Sequence, residues 1–184
     1  MTRTGGYSII ELAVTLSVMA IVASIAIPGF SRWLPDYRLK AAATELYSNL
    51  QSAKMSAVRD NMEWALFFSP SFSLYQIKTG GPDGDYSTAA DNTVEKTIWL
   101  SDYTAGAAYV AYGAGGATDT IPPSGSAPTD FVTFPGDKIV FSPRGMADSE
   151  GYIYLQNNKN VTYAVGSLTT GLILMRKWTG AAWE

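Results

Sequence analysis

The stretch GYSIIELAVTLSVMAIVASIAIPGF, residues 6–30, decides the fold class. Its residues 12–30 carry no charge. A helix of that length rises about 28 Å at 1.5 Å per residue, which is close to the hydrocarbon thickness of a bilayer. The stretch therefore predicts a membrane-spanning helix. A short polar start ends in Gly5 and Gly6 ahead of it, and Glu11 is the one acidic residue inside the apolar run that begins at Ile9.

A carboxylate in such a segment is unfavourable. Insertion scales give about 2.5–3.5 kcal/mol for an acidic side chain at the bilayer centre, and less near the interface. Glu11 therefore indicates a functional role with a partner.

Composition limits the other functions of the chain. Its 184 residues suffice for one globular domain and an anchor. The sequence has no cysteine and no histidine, which excludes disulfides, thiolate nucleophiles, histidine-based triads and imidazole-ligated metals. The net charge of −3 does not favour long-range attraction to nucleic acid. Walker, GxSxG and dinucleotide-binding motifs are also missing, so we predict neither catalysis nor a cofactor.

The pattern after the apolar stretch predicts an amphipathic helix that covers a sheet. Pro28 is expected to kink the helix, and Pro35 to break or restart it. Apolar residues then recur at helical spacing. They are Leu39, Ala42, Ala43, Leu46, Leu50, Ala53 and Ala57.

Short runs rich in β-branched and aromatic residues follow and predict antiparallel strands. The runs are residues 64–68, 74–78, 94–100, 138–141, 152–156, 161–165 and 172–178. Residues 79–93 and 105–130, rich in small and polar residues, are predicted to be loops.

Gly6, then Tyr7-Ser8-Ile9-Ile10-Glu11, then a long apolar helix with Pro28, resembles the leader of type IV pilins and type II secretion pseudopilins. The resemblance implies that prepilin peptidase cleaves after Gly6 and methylates the new amino terminus at Tyr7. It also implies that Glu11 serves filament assembly, paired with the amino terminus of a neighbouring subunit.

Two later segments are similar to the GspH/FimT branch of minor pilins. Residues 50–68 match at Ser52, Ala53, Ala57 and Arg59, and residues 141–178 match at Pro143, Gly145 and Gly171. The resemblance implies an α+β, pilin-like fold, with a long N-terminal helix on an antiparallel sheet domain. We expect a leader at 1–6, a transmembrane and filament-core helix at 7–34, an amphipathic half at 35–61 and a β-rich domain at 62–184.

A structural role in assembly is the function that this resemblance implies. We expect a minor pilin or pseudopilin that initiates or tips a type II secretion pseudopilus or a type IV pilus. Its partners would be other pilins, prepilin peptidase and the inner-membrane assembly platform. The resemblance implies a cytoplasmic amino terminus and a periplasmic globular domain. The charges on either side of the apolar stretch do not decide the orientation, since they lie at Arg3 before it and at Arg32, Arg38 and Lys40 after it.

Two alternatives for the N-terminal segment stay open. Ser24-Ile25-Ala26 before Ile27 has the small-x-small pattern of a secretory cleavage site. A plain single-pass anchor would also have such an apolar run.

A DNA-binding minor pilin of the competence type is the alternative function. Arg176-Lys177-Trp178 joins two cations to an aromatic, as phosphate contact and base stacking need. FimT-like DNA binders carry Gly-Arg-x-Arg, however, whereas Gly171 is followed by Leu-Ile-Leu. We therefore favour an edge strand with solvated charges and do not expect nucleic acid as a partner.

A calcium site is a weak candidate. Asp83, Asp85 and Asp91 could supply oxygen ligands, but their spacing lacks the closing glutamate of an EF-hand. Pro-Asp-Gly at residues 82–84 is a strong turn signal, so we predict a polar turn and no metal.

Overall fold

The computed structural model describes residues 7–87, 92–104 and 109–184, without the side chains of 27–32. The chain divides into two compact units, Met1–Leu34 and Pro35–Glu184. Each unit is described by itself below.

The one long helix of the described residues, α1, spans Ile9–Asp60. Its backbone is helical through Pro28 and Pro35, so the predicted break or restart at Pro35 is wrong. A proline inside a helix removes one backbone donor. At Pro35 the helical face that follows lies in a hydrophobic core, whose burial outweighs that loss.

The predicted apolar face of the second half of α1 is confirmed. All seven positions from Leu39 to Ala57 are buried, none more than 2 % exposed. The face holds both large and small residues, and the alanines let the helix backbone approach the strands closely. This burial, rather than intrinsic helix propensity, is what stabilises this half of α1.

Within the described residues, eight strands form two four-stranded antiparallel sheets. They are β1 Trp64–Ser69, β2 Leu74–Thr79, β3 Thr93–Trp99, β4 Val110–Tyr112, β5 Lys138–Phe141, β6 Gly151–Asn157, β7 Thr162–Ser167 and β8 Ile173–Lys177. The order is β3-β2-β1-β5 in the first sheet and β4-β6-β7-β8 in the second. The seven predicted strands are confirmed within about two residues at each end, and the fold class is α+β.

The predicted loop at 105–130 is wrong at one point, because it contains β4. Val110 pairs with Asn157 and Tyr112 with Leu155, so β4 adds an edge to β6. The Tyr112 hydroxyl donates to the Leu74 carbonyl oxygen at 2.8 Å and so links the two sheets. A strand of three residues is too short to show a period of two, and its partner is more than 40 residues away.

One main core lies between the second half of α1 and the inner faces of both sheets. Leu46 and Leu50 of the helix, Leu66 of β1 and Ile153 of β6 belong to it. A second, smaller cluster lies on the outer face of the second sheet, where Tyr152, Tyr154 and Ala164 are covered by Ile121 and Trp183.

Candidate assembly site

Two hydrogen bonds involve Ser8 at the start of the helix, one of them with the Glu11 carboxylate. The backbone N–H of Ser8 donates to Glu11 Oε2 at 2.9 Å, and the backbone N–H of Ile10 donates to Ser8 Oγ at 3.3 Å. The first N–H groups of a helix have no partner inside the helix, so both bonds stabilise the start of α1. The carboxylate also lies at the positive end of the helix dipole. Glu11 is thus held beside the residue that precedes the helix.

The surface around Glu11 is apolar and open to solvent. Tyr7 is 88 % and Ile10 70 % exposed, and the side chains up to Ala26 are exposed except Ala23, which is partly buried. Residues Ile9–Ala26 form a helix long and apolar enough to cross a membrane, with none of that window buried. This agrees with the predicted spanning helix and equally with the secretory-signal alternative. Glu11 supplies the one charged side chain of the window.

Two of the predicted positions are not described in full. Gly6 lies outside the described residues, so cleavage after it stays a prediction. Pro28 lies in the helical backbone of α1, but its side chain is outside the described part. The kink at Pro28 also stays a prediction.

Two glycines of the C-terminal segment, Gly145 and Gly171, lie beside Lys54 of α1. Gly145 and Gly171 both have a positive φ, 74° and 75°. A Cβ on Gly171 would lie 2.1 Å from the Gly145 carbonyl oxygen, which no side chain could accommodate. Lys54 Nζ donates to the Gly171 carbonyl oxygen at 2.9 Å. The β5–β6 turn, the β7–β8 turn and the helix are therefore joined at this point.

Arg176, Lys177 and Trp178 do not form a common surface. Successive side chains of a strand point to opposite faces, so Arg176 and Trp178 lie on the outer face of the second sheet and the exposed Lys177 on the other. Trp178 is 8 % exposed, with its ring 5.2 Å from that of Trp183. Base stacking needs an open aromatic face. The arrangement gives the DNA-binding alternative no support.

β8 is the last strand of its sheet, as predicted, but its outer edge is paired. The backbone N–H of Lys177 donates to the Glu184 carbonyl oxygen at 2.6 Å, and that of Glu184 donates back to Lys177 at 3.0 Å. The C-terminal residues thus cover this end of the strand.

The weak calcium candidates form turns. The backbone N–H of Asp85 donates to Asp83 Oδ1 at 2.9 Å, and that of Ser87 donates to Asp85 Oδ1 at 2.8 Å. Gly84 takes the positive φ of 73° that the predicted turn requires. Within the described residues no group of three metal-ligating side chains occurs, and Asp91 lies outside them.

Sequence reasoning missed the hydrogen-bonding roles of three residues, Ser8, Lys54 and Trp183. Ser8 could have been found, since Ser8-x-x-Glu11 matches the capping-box pattern. Lys54 carries no local signal, because its partner is 117 residues away. Trp183 also has no local sequence signal, because its partner is 64 residues away: its indole N–H donates to the Asp119 carbonyl oxygen at 2.9 Å.

A long helix with an exposed apolar first half and a second half buried on antiparallel sheets is the pilin-like arrangement that the sequence predicted. The family model described as "Type II transport protein GspH" matches residues 42–171. The chain therefore belongs to the GspH family and is a GspH-like pseudopilin, which confirms the predicted family.

A solved structure is also similar to this chain. It is the minor pseudopilin EpsH from the type 2 secretion system of Vibrio cholerae, with 9 % sequence identity and a TM-score of 0.44. The match covers 75 % of this chain and 95 % of that one. Comparison with the curated proteins gives no match.

Proposed function

We propose that the protein is a non-catalytic minor pseudopilin that initiates or tips a type II secretion pseudopilus. The observation that carries this proposal is the exposed apolar segment Ile9–Ala26, with Glu11 in its first turn, in a chain of the GspH family. An apolar surface of this extent requires lipid or other subunits to cover it. A membrane anchor that later enters a filament provides both.

The proposed maturation starts with cleavage. Prepilin peptidase cuts after Gly6 and methylates the amino group of Tyr7. Residues 7–34 then hold the subunit in the inner membrane, with the amino terminus cytoplasmic and the β-rich domain periplasmic. Assembly with other pseudopilins on the inner-membrane platform follows.

Glu11 is assigned to assembly. Its carboxylate accepts the Ser8 N–H within the isolated subunit. In a filament without lipid, the same carboxylate would be buried and would pair with the Tyr7 ammonium of a neighbouring subunit. Removing one partner of a buried ion pair costs about 3–5 kcal/mol, because the other charge is left uncompensated.

Two substitutions at Glu11 separate its charge from its capping role. Glutamine can accept the Ser8 N–H as glutamate does but carries no charge, whereas alanine can do neither. We expect Glu11→Gln and Glu11→Ala to remain in the membrane fraction. Both should lower co-purification with the other pseudopilins at least about tenfold, since about 1.4 kcal/mol corresponds to that factor.

Quantitative pull-down from detergent-solubilised membranes measures this effect. Leu16→Ala, on the same exposed segment, is the control for a general change of the apolar surface. If Glu11→Gln assembles as well as the unaltered protein, the ion-pair account is wrong and capping alone is what Glu11 provides.

A further inference from the structure

The outer face of the second sheet carries a cation in an apolar setting. Tyr154 of β6 lies opposite Ala164 of β7, and Ala164 lies opposite Arg176 of β8. Ala164 is fully buried in this row. Ile121 and Trp183 pack over the same face from the loop before β5 and from the C-terminal segment.

A pocket of about 420 Å³ lies at this point. Its walls are mostly aromatic or apolar, and Arg176 and Asp119 are its charged members. The lining consists of Asp119, Ile121, Pro122, Pro123, Arg176, Trp178, Ala181, Ala182 and Trp183. The volume is within the range of pockets that hold small ligands. It suits a single large side chain better than a length of polymer.

Arg176 has more N–H donors than the hydrogen bonds it makes in the described residues. A guanidinium has five N–H donors, and the contact it makes within the described residues is one long bond, 3.4 Å from Nη1 to the Trp183 carbonyl oxygen. Its side chain is partly buried, and it has no ion pair in the described part of the chain. A partly desolvated cation of this kind favours a carboxylate, which can accept two parallel hydrogen bonds.

Trp178 adds a second unsatisfied donor. Its side chain lines the same pocket, and its indole N–H is buried without a hydrogen-bond partner in the described residues. A buried donor without a partner is unfavourable. Arg176 is the partly exposed donor of this pocket, and its remaining N–H groups point to a ligand that brings an acceptor.

The acidic residue of this pocket, Asp119, already accepts hydrogen bonds from the backbone. Asp119 Oδ1 accepts the backbone N–H groups of Thr120, Ser124 and Gly125 at 2.7–2.9 Å. These hydrogen bonds keep the pKa of the Asp119 carboxyl below its usual value, so Asp119 stays charged at neutral pH. A fixed negative charge beside the pocket disfavours a polyanion such as nucleic acid more than a single carboxylate.

We infer that this pocket binds a protein segment that presents an apolar side chain next to a carboxylate. The apolar group lies against Trp183 and Pro122, and the carboxylate accepts from Arg176. The owner of the segment is another protein of the secretion apparatus. The identity of that protein rests on the proposed function, whereas the chemistry of the binding site does not.

N-acetyl-phenylalanine tests the inference, since it combines an aromatic side chain with a carboxylate. The full chain, in detergent micelles, is titrated while the indole N–H resonances of Trp178 and Trp183 are followed by NMR. N-acetyl-phenylalanine amide is the matched neutral probe. We expect saturable shifts with the acid and at least about tenfold weaker binding of the amide.

Substitutions on β8 provide the matched variants. Arg176→Gln should weaken binding of the acid at least about tenfold, and Arg176→Lys should weaken it less, because charge is kept while the bidentate geometry is lost. Lys177→Gln, with the same charge change on the opposite face, should leave it unaltered. Unshifted indole resonances before titration show that each variant keeps its fold.

Three outcomes would overturn the inference. They are equal binding of acid and amide, no effect of Arg176→Gln, and tighter binding of a DNA oligonucleotide that weakens equally in Arg176→Gln and Lys177→Gln. The last would restore the nucleic-acid alternative. None of them bears on Glu11 or on cleavage after Gly6, so failure here is distinguishable from failure of the proposed function.

Discussion

The two halves of α1 are made of similar residues but differ in where those residues find partners. In the first half, Leu16 is 60 % and Ile21 61 % exposed. In the second half, Leu46 is 1 % exposed and Leu50 fully buried. The same helix therefore has one apolar surface that packs on the chain's own sheets and another that is exposed in the described part of the chain.

The distribution of polar residues around the helix tells the two surfaces apart. In the second half the exposed positions include Lys40, Thr44 and Ser48, opposite the buried face. In the first half apolar residues occupy all sides, as expected of a helix that lipid or protein surrounds. Amphipathicity marks the half that folds onto its own domain, and its loss marks the half to which we assign anchoring and assembly.

The same substitution in both halves should give the largest contrast. Leu46→Ala removes a fully packed side chain and should lower the free energy of unfolding by about 2–5 kcal/mol. Leu16→Ala removes an exposed one and should change it by less than about 0.5 kcal/mol. Chemical denaturation of the full chain in detergent, followed by near-ultraviolet circular dichroism, measures both. Similar losses for the two variants would contradict the assignment of the core to one half of α1.

A lysine pair sharpens the contrast within the second half. Lys54→Met keeps the aliphatic stem but removes the donor to the Gly171 carbonyl oxygen. Hydrogen bonds of charged groups contribute about 1.5–3 kcal/mol, and we expect a loss of unfolding free energy in that range. Lys40→Met, at an exposed position of the same helix, should change it by less than about 0.5 kcal/mol. Equal effects in the same denaturation assay would show that the junction with Gly145 and Gly171 is not important for stability.

The smallest expected effect concerns the polar contact between α1 and the first sheet. Asn49 Nδ2 donates to the Tyr75 hydroxyl oxygen at 2.8 Å, and burial raises the pKa of Tyr75 well above its usual value. An unfolded tyrosine releases its proton from about pH 10. The unfolded state therefore binds fewer protons there, and stability is present below that pH and falls above it.

Denaturation midpoints between pH 8 and about pH 11 test this prediction. Tyr75→Phe should flatten the alkaline fall, because one of the groups that cause it is removed. Other buried tyrosines, such as Tyr112, also have a raised pKa and leave part of the slope in place. An unchanged slope in Tyr75→Phe would mean that Tyr75 is not protected from titration by the fold.

Much of this architecture follows from periodicity. The helical spacing predicted the seven buried apolar positions from Leu39 to Ala57, and short β-branched and aromatic runs predicted all strands but β4. These signals are local: a face that must be buried shows itself every 3.6 or every two residues. The arrangement of the strands in two sheets, by contrast, depends on pairs such as Leu66 with Ile139, which are far apart in sequence.

The remaining errors and omissions have the same origin. Pro35 was expected to interrupt the helix because the local preference of proline was considered without the stabilisation that burial of the following helical face provides. Trp178 was a base-stacking candidate of the DNA-binding alternative, yet Trp183 packs against it through a turn that no periodic pattern reveals. Of the candidate assembly site, Glu11 was singled out by its unfavourable position in an apolar run and given its assembly role by the family resemblance, whereas its contact with Ser8 required the structure.

The mass of the mature protein tests the central claim most directly. If the exposed half of α1 is a pseudopilin anchor, protein extracted from membranes of cells that contain prepilin peptidase begins at Tyr7 and carries one added methyl group. Intact-mass and N-terminal peptide spectrometry measure both features at once. A chain that starts at Met1 would contradict the account, and one that starts at Ile27 would establish the secretory-signal alternative in its place.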